Sequence, residues 1–168
     1  MSGGEGFLCL QQYGQMISCH VIGQATMRQS PALRHRVEQC FATGPIALHV
    51  DLEACTYMDS TFIGTLLMFK RRLREFALVA PSPECSRLLR QMGLGAVFCI
   101  LPQESFPEST DEVLESEPEG DNFKRTIVEA HQELASTPGP AGVIFHDVAA
   151  DLTQGWETEQ RKLTAMHT

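Results

Sequence analysis

Ile46, Leu48, Val50 and Leu52 alternate with Ala47, His49, Asp51 and Glu53, a period of two that predicts a strand with one buried face. From Thr61 the period changes. Phe62, Leu66, Phe69, Leu73 and Phe76 recur at spacings of four and three, and Ile63 and Leu67 widen the stripe, which predicts a helix over 61–76 packed on a sheet. Upstream, the runs Phe7–Gln12 and Gln15–Ile22 flank Tyr13-Gly14 and predict a hairpin. Ser30-Pro31 supplies a cap followed by proline. Leu33, Val37 and Phe41 then share a face, and Gly44-Pro45 closes a helix near 31–43. Ala77–Ala80 is apolar throughout, as in a strand covered on both faces. Ser82-Pro83 repeats the cap-then-proline signal for a helix over 83–92, with Gly93 as its terminator, and Ala96–Leu101 predicts a last strand. The order β-β-α-β-α-β-α-β implies an α/β domain with a mixed, mostly parallel sheet and packed helices.

After Leu101 the composition changes. Residues 102–121 hold eight acidic side chains and no basic one, so little there offsets the entropy of ordering, and the segment reads as an acidic flexible linker. Beyond it Phe123, Ile127, Ala130, His131 and Leu134 have helical spacing, Pro138-Gly139-Pro140 breaks the chain, and Val143–Leu152 is a second helical candidate. The organisation is therefore a domain over 1–101, a linker over 102–121 and a C-terminal helical extension over 122–168. A helix as short as 123–134 is marginal in water unless its apolar face is buried. It is expected to dock, either on its own domain or, as the reading slightly favours, on a second copy in a homodimer.

The formal net charge of −8 argues against a nucleic-acid or anionic-membrane partner. Cys9, Cys19, Cys40, Cys55, Cys85 and Cys99 are widely spaced, mostly inside apolar runs, and read as reduced thiols of a cytoplasmic protein. No window is long and apolar enough for a membrane span. The six histidines show no metal-ligand spacing, and there is no P-loop or dinucleotide fingerprint. Neither metal, cofactor nor enzymatic activity is expected. Lys70, Arg71, Arg72 and Arg74 form either a patch for an acidic partner or a solvated face that complements the helix dipole.

The stretch TYMDSTFIG, Thr56–Gly64, carries the candidate chemistry. Asp59 and Ser60 precede the predicted helix, where their oxygens can accept bonds from its unpaired N–H groups. The same helix start favours an anion, so Thr61 is either part of a capped terminus or a phosphate acceptor. A phosphate of about −2 beside the Asp59 carboxylate breaks a contact more readily than it makes one.

MDSTFIG resembles the MDSSGLG signature of STAS domains, the family of bacterial anti-sigma factor antagonists. The resemblance extends from Phe7 to Leu101 through Gly23, IALHVDLEACTYMD and RQMGL. It implies a STAS fold and a non-enzymatic, protein-binding role in transcription regulation. The partner would be a Ser/Thr kinase that doubles as an anti-sigma factor and phosphorylates Thr61, with Ser60 as the alternative acceptor and Asp59, Ser60, Thr61 and Phe62 forming the partner-binding surface. Phe62 stands where the signature has glycine, and Thr61 where serine is commoner. STAS domains also build scaffolds and accompany transport systems, so an unphosphorylated scaffold or adaptor subunit is the alternative.

Overall fold

The computed structural model describes residues 5–42, 47–103, 112–116 and 119–167. The hairpin forms as expected, with β1 (Phe7–Tyr13) antiparallel to β2 (Met16–Ala25). Helix α1 (Ser30–Phe41) follows, then β3 (Ala47–Asp51) parallel to β2. The expected stop at Gly44-Pro45 and the first strand residue, Ile46, lie outside the described residues. A short strand that the hydrophobic pattern did not separate, β4 (Cys55–Met58), pairs parallel with the end of β2 and leads directly into α2 (Ser60–Arg72).

Helix α2 is shorter than its periodicity predicted. Leu73 leaves the helical region at φ −94°, ψ 148°, so Phe76 belongs to the next strand, β5 (Glu75–Val79), parallel to β3. Phe76 fitted the helical spacing because a residue at a strand's start can face the same core. Helix α3 (Pro83–Gln91) is capped by Ser82, whose Oγ accepts from the Cys85 N–H at 3.1 Å. It ends as the sequence suggested: Gly93 takes φ +72° and donates to the Arg90 carbonyl, while Leu94 N–H reaches back to Leu89 at 2.7 Å. Glycine adopts that left-handed conformation without a Cβ clash, and the buried Leu89 and Leu94 side chains close the turn. The last predicted strand contracts to β6 (Ile100–Leu101) because the chain before it is a turn that buries Phe98.

The sheet runs β6-β5-β3-β2-β1-β7, with β4 on β2. Strand β7 (Glu112–Leu114) corrects the linker expectation in part. Leu8, Cys9 and Leu10 of β1 pair antiparallel with Leu114, Val113 and Glu112, and Arg36 of α1 holds Glu112 at 2.9 Å. The free hydrogen-bonding edge of β1 orders these residues, a gain that composition alone does not register. Residues 104–111 and 117–118 of that segment lie outside the described residues.

Both expected C-terminal helices are present, α4 (Asp121–Ala135) and α5 (Pro140–Met166), the latter much longer than the predicted 143–152. Within the chain α4 packs on its own domain against α1 and α2, one of the two dockings expected of it. Every residue of α2 from Thr61 to Phe69 is buried. Phe62, Leu66 and Phe69 join the core, and the opposite stripe of Ser60, Gly64 and Arg71 meets α4.

Candidate functional site

Strand β4 delivers Asp59 to the start of α2, and the carboxylate there does two tasks. Its Oδ1 accepts from Phe62 N–H at 2.8 Å, capping the helix, and its Oδ2 accepts from Met27 N–H at 2.7 Å. Its own N–H donates to the Ala25 carbonyl at 3.1 Å. One side chain thus fixes the β2–α1 turn to the helix start. Burial pushes the Asp59 carboxyl above the ordinary carboxylate value; the N–H groups of Phe62 and Met27 oppose that shift.

Ser60 is not the cap that the sequence allowed it to be. Its Oγ lies 2.9 Å from Nε2 of His131 on α4. His131 Nδ1 is 2.7 Å from the Ile127 carbonyl, which only accepts, so Nδ1 carries a proton, and in the neutral tautomer Nε2 accepts from the Ser60 hydroxyl. The ring is buried, edge-on to Phe145 at a centroid distance of 5.7 Å. Thr61 is only 3% exposed, and Phe62 is fully buried. The expectation that Phe62 offers a partner an apolar surface is corrected: its ring lies on the sheet-facing stripe with Leu66 and Phe69 and belongs to the core.

Helix α4 covers this site along a seam of small and charged residues. A Cβ on Gly64 would overlap the Ala130 carbonyl, so glycine alone permits the observed approach. Arg71 pairs with Glu133, which removes one cation from the candidate basic patch, and Arg34 of α1 pairs with Glu129. Among the predicted site residues the fold brings Asp59 and Ser60 to a common hydrogen-bonded turn and turns Thr61 and Phe62 inwards. Sequence reasoning missed His131, which stands 71 residues from Ser60. Its one signal was a polar side chain beside Ala130 on an otherwise apolar helical face.

A second polar group lies on the sheet. His20 stands 3.2 Å from Ser18 Oγ through Nε2 and 3.2 Å from Asp51 Oδ2 through Nδ1, an order that suits nucleophilic catalysis. Ser18 is fully buried, however, so a substrate carbonyl has no approach to its hydroxyl. Among the described residues no cluster of three His, Cys, Asp or Glu side chains is placed to hold a metal, and no helix is long and apolar enough to cross a membrane.

This β-β-α-β start, with a turn carrying Asp59 and Ser60 at the head of a buried helix, defines a mixed, mostly parallel α/β class of domain. The chain belongs to the STAS domain family: the family model described as "Mlab, STAS domain" matches residues 10–102, more than half of the chain. Among solved structures, the anti-sigma factor antagonist SpoIIAA in its unphosphorylated form is similar at a TM-score of 0.52 and 18% identity, covering 58% of this chain and 88% of that one. An anti-sigma factor antagonist from Mycobacterium paratuberculosis is similar at a TM-score of 0.52 and 24% identity, covering 59% and 87%. At these identities the likeness speaks for the fold. A search of curated proteins finds no match.

Proposed function

We propose that the protein is a non-enzymatic regulatory module of the anti-sigma factor antagonist type, which binds a Ser/Thr kinase anti-sigma factor through the β4–α2 turn and is released when Thr61 is phosphorylated. The observation that carries this reading is the Asp59 clamp. One carboxylate ties the β2–α1 turn to the start of α2, with the Ser60 and Thr61 hydroxyls in the first helical turn beside it. A phosphate there adds a charge of about −2 next to a carboxylate that burial already disfavours, so modification has to rearrange the turn. A change of about 3–4 kcal/mol in the interface weakens binding several-hundred-fold.

The burial of Thr61 favours a second reading, an unphosphorylated scaffold or adaptor subunit that self-associates through exposed Val143, Ile144 and Val148 of α5. Calorimetry with the kinase partner separates the two. On the switch reading Thr61→Glu loses partner affinity and Thr61→Ala retains it, with mass spectrometry placing the phosphate on Thr61 or, as the alternative, Ser60. Equal affinity of all three proteins and no phosphate across 57–65 leave the scaffold reading.

A further inference from the structure

Helix α4 lies across the start of α2, and the character of the seam tells what kind of contact this is. Among the described residues, the buried apolar cluster takes Leu134 and Ala141 from the tail, with partly buried Phe145 packed against it, and its other buried members lie between Leu8 and Phe98. The contacts of α4 around the turn are small or polar: Ala130 on Gly64, His131 on Ser60, Glu129 on Arg34 and Glu133 on Arg71. Arg34 is 4% exposed, and although Nε reaches Glu38 at 3.1 Å, its Nη1 has no partner among the described residues. A guanidinium held in this way incurs a desolvation cost that its ion pairs only partly offset, and it regains water when the cover leaves. Permanent interfaces are built differently, as a hydrophobic core cut in two.

We propose that α4 is an intramolecular cover for the β4–α2 turn: in the closed chain it withholds Ser60 from any protein partner, and its release opens that side of the turn while the STAS core stays folded. The inference deepens the proposed function and rests on that reading for the identity of the site, but not for the existence of the cover. The seam is complementary in charge, with Arg34 and Arg71 on the core facing Glu129 and Glu133 on α4. A competing partner is therefore a helix with acidic residues flanking a small one.

The test needs no partner, because His131 reports the position of the cover. Diethyl pyrocarbonate carbethoxylates accessible neutral imidazoles, and peptide mapping of the full-length protein gives a rate for each histidine. In the closed chain buried His131 reacts at least ~10-fold more slowly than exposed His146, as expected for a group that reacts only on local opening. Reversing both α4 charges, Glu129→Lys with Glu133→Lys, brings the His131 rate to within about threefold of His146, while His49 in the core keeps its wild-type protection. Three results overturn the cover: His131 as reactive as His146 in the wild type, unchanged protection in the double variant, or loss of His49 protection together with His131. The last would make α4 an integral part of the fold. Because no kinase enters, failure here leaves the phosphorylation reading standing, and failure of that reading leaves the cover standing.

Discussion

Helices α4 and α5 leave the same end of the chain and pack on each other, but their relation to the domain is opposite. Of the 15 residues of α4, Thr126, Val128, Ala130, His131 and Leu134 are buried; of the 27 in α5, only Ala141 and Ala149 are. Helix α4 is wedged between α2 and α5. Helix α5 lays one edge, Phe145, Ala149, Leu152 and Trp156, along α4 and then continues past its start, where Lys124 of α4 meets Glu159 at 2.6 Å. From Arg161 to His167 every residue is exposed. The difference teaches that the C-terminal extension is two things: a helix fitted to the β4–α2 turn, and a helix about 40 Å long that meets the domain at its start, through Ala141 and Phe145, and leaves its last turns exposed.

Removing apolar volume breaks the contrast most severely. Leu134→Ala empties a fully buried position and is expected to lower stability by about 2–5 kcal/mol in chemical denaturation, whereas Val143→Ala on exposed α5 changes it by less than about 0.5 kcal/mol. Equal effects would mean that α4 is no better docked than α5. Adding one methyl group tests the closest approach. Gly64→Ala places a Cβ against the Ala130 carbonyl and should cost about 1–3 kcal/mol, with faster hydrogen exchange in α4; an unchanged exchange pattern would refute the tight seam.

Polar contacts produce smaller shifts. Ser60→Ala leaves buried His131 Nε2 without its donor, at about 1 kcal/mol, visible as a change in the imidazole nitrogen resonances. Asp59→Asn retains a good cap but removes a buried ionisable group. Because the folded carboxyl titrates above its unfolded value, the native state binds more protons over that interval, and the Asp59 contribution falls as pH rises from the ordinary carboxylate value through the raised one. The wild type should lose stability relative to Asp59→Asn across that window, and a relative gain would reverse the assignment. The smallest effect is reserved for the last turns of α5: ending the chain after Trp156 should leave the melting temperature of the domain within about 1–2 °C, since only exposed or partly exposed turns of α5 are lost.

What the sequence determined by itself follows from periodicities that one buried face imposes. The alternation through Val50, the stripe of Phe62, Leu66 and Phe69, and the Gly93 terminator each state a local condition, and the sheet with its helices satisfies them. The signature MDSTFIG placed the turn, and Asp59 caps α2 there because an acidic residue ahead of a helix meets a local need for acceptors. Tertiary structure alone decided that Thr61 is buried and that α4 lies over Ser60. The stripe of α2 that faces α4 consists of a serine, a glycine and an arginine, residues that a solvent-facing surface would also carry, so no hydrophobic pattern announces the second layer. Phe76 passed for a helical residue because the core accepts a ring from either element, and β7 was hidden because its ordering depends on the free edge of β1, about a hundred residues away in the chain. Local sequence records which face of an element must be dry. Which distant element dries it depends on backbone approach and hydrogen-bond partners, and these exist only once the chain has folded.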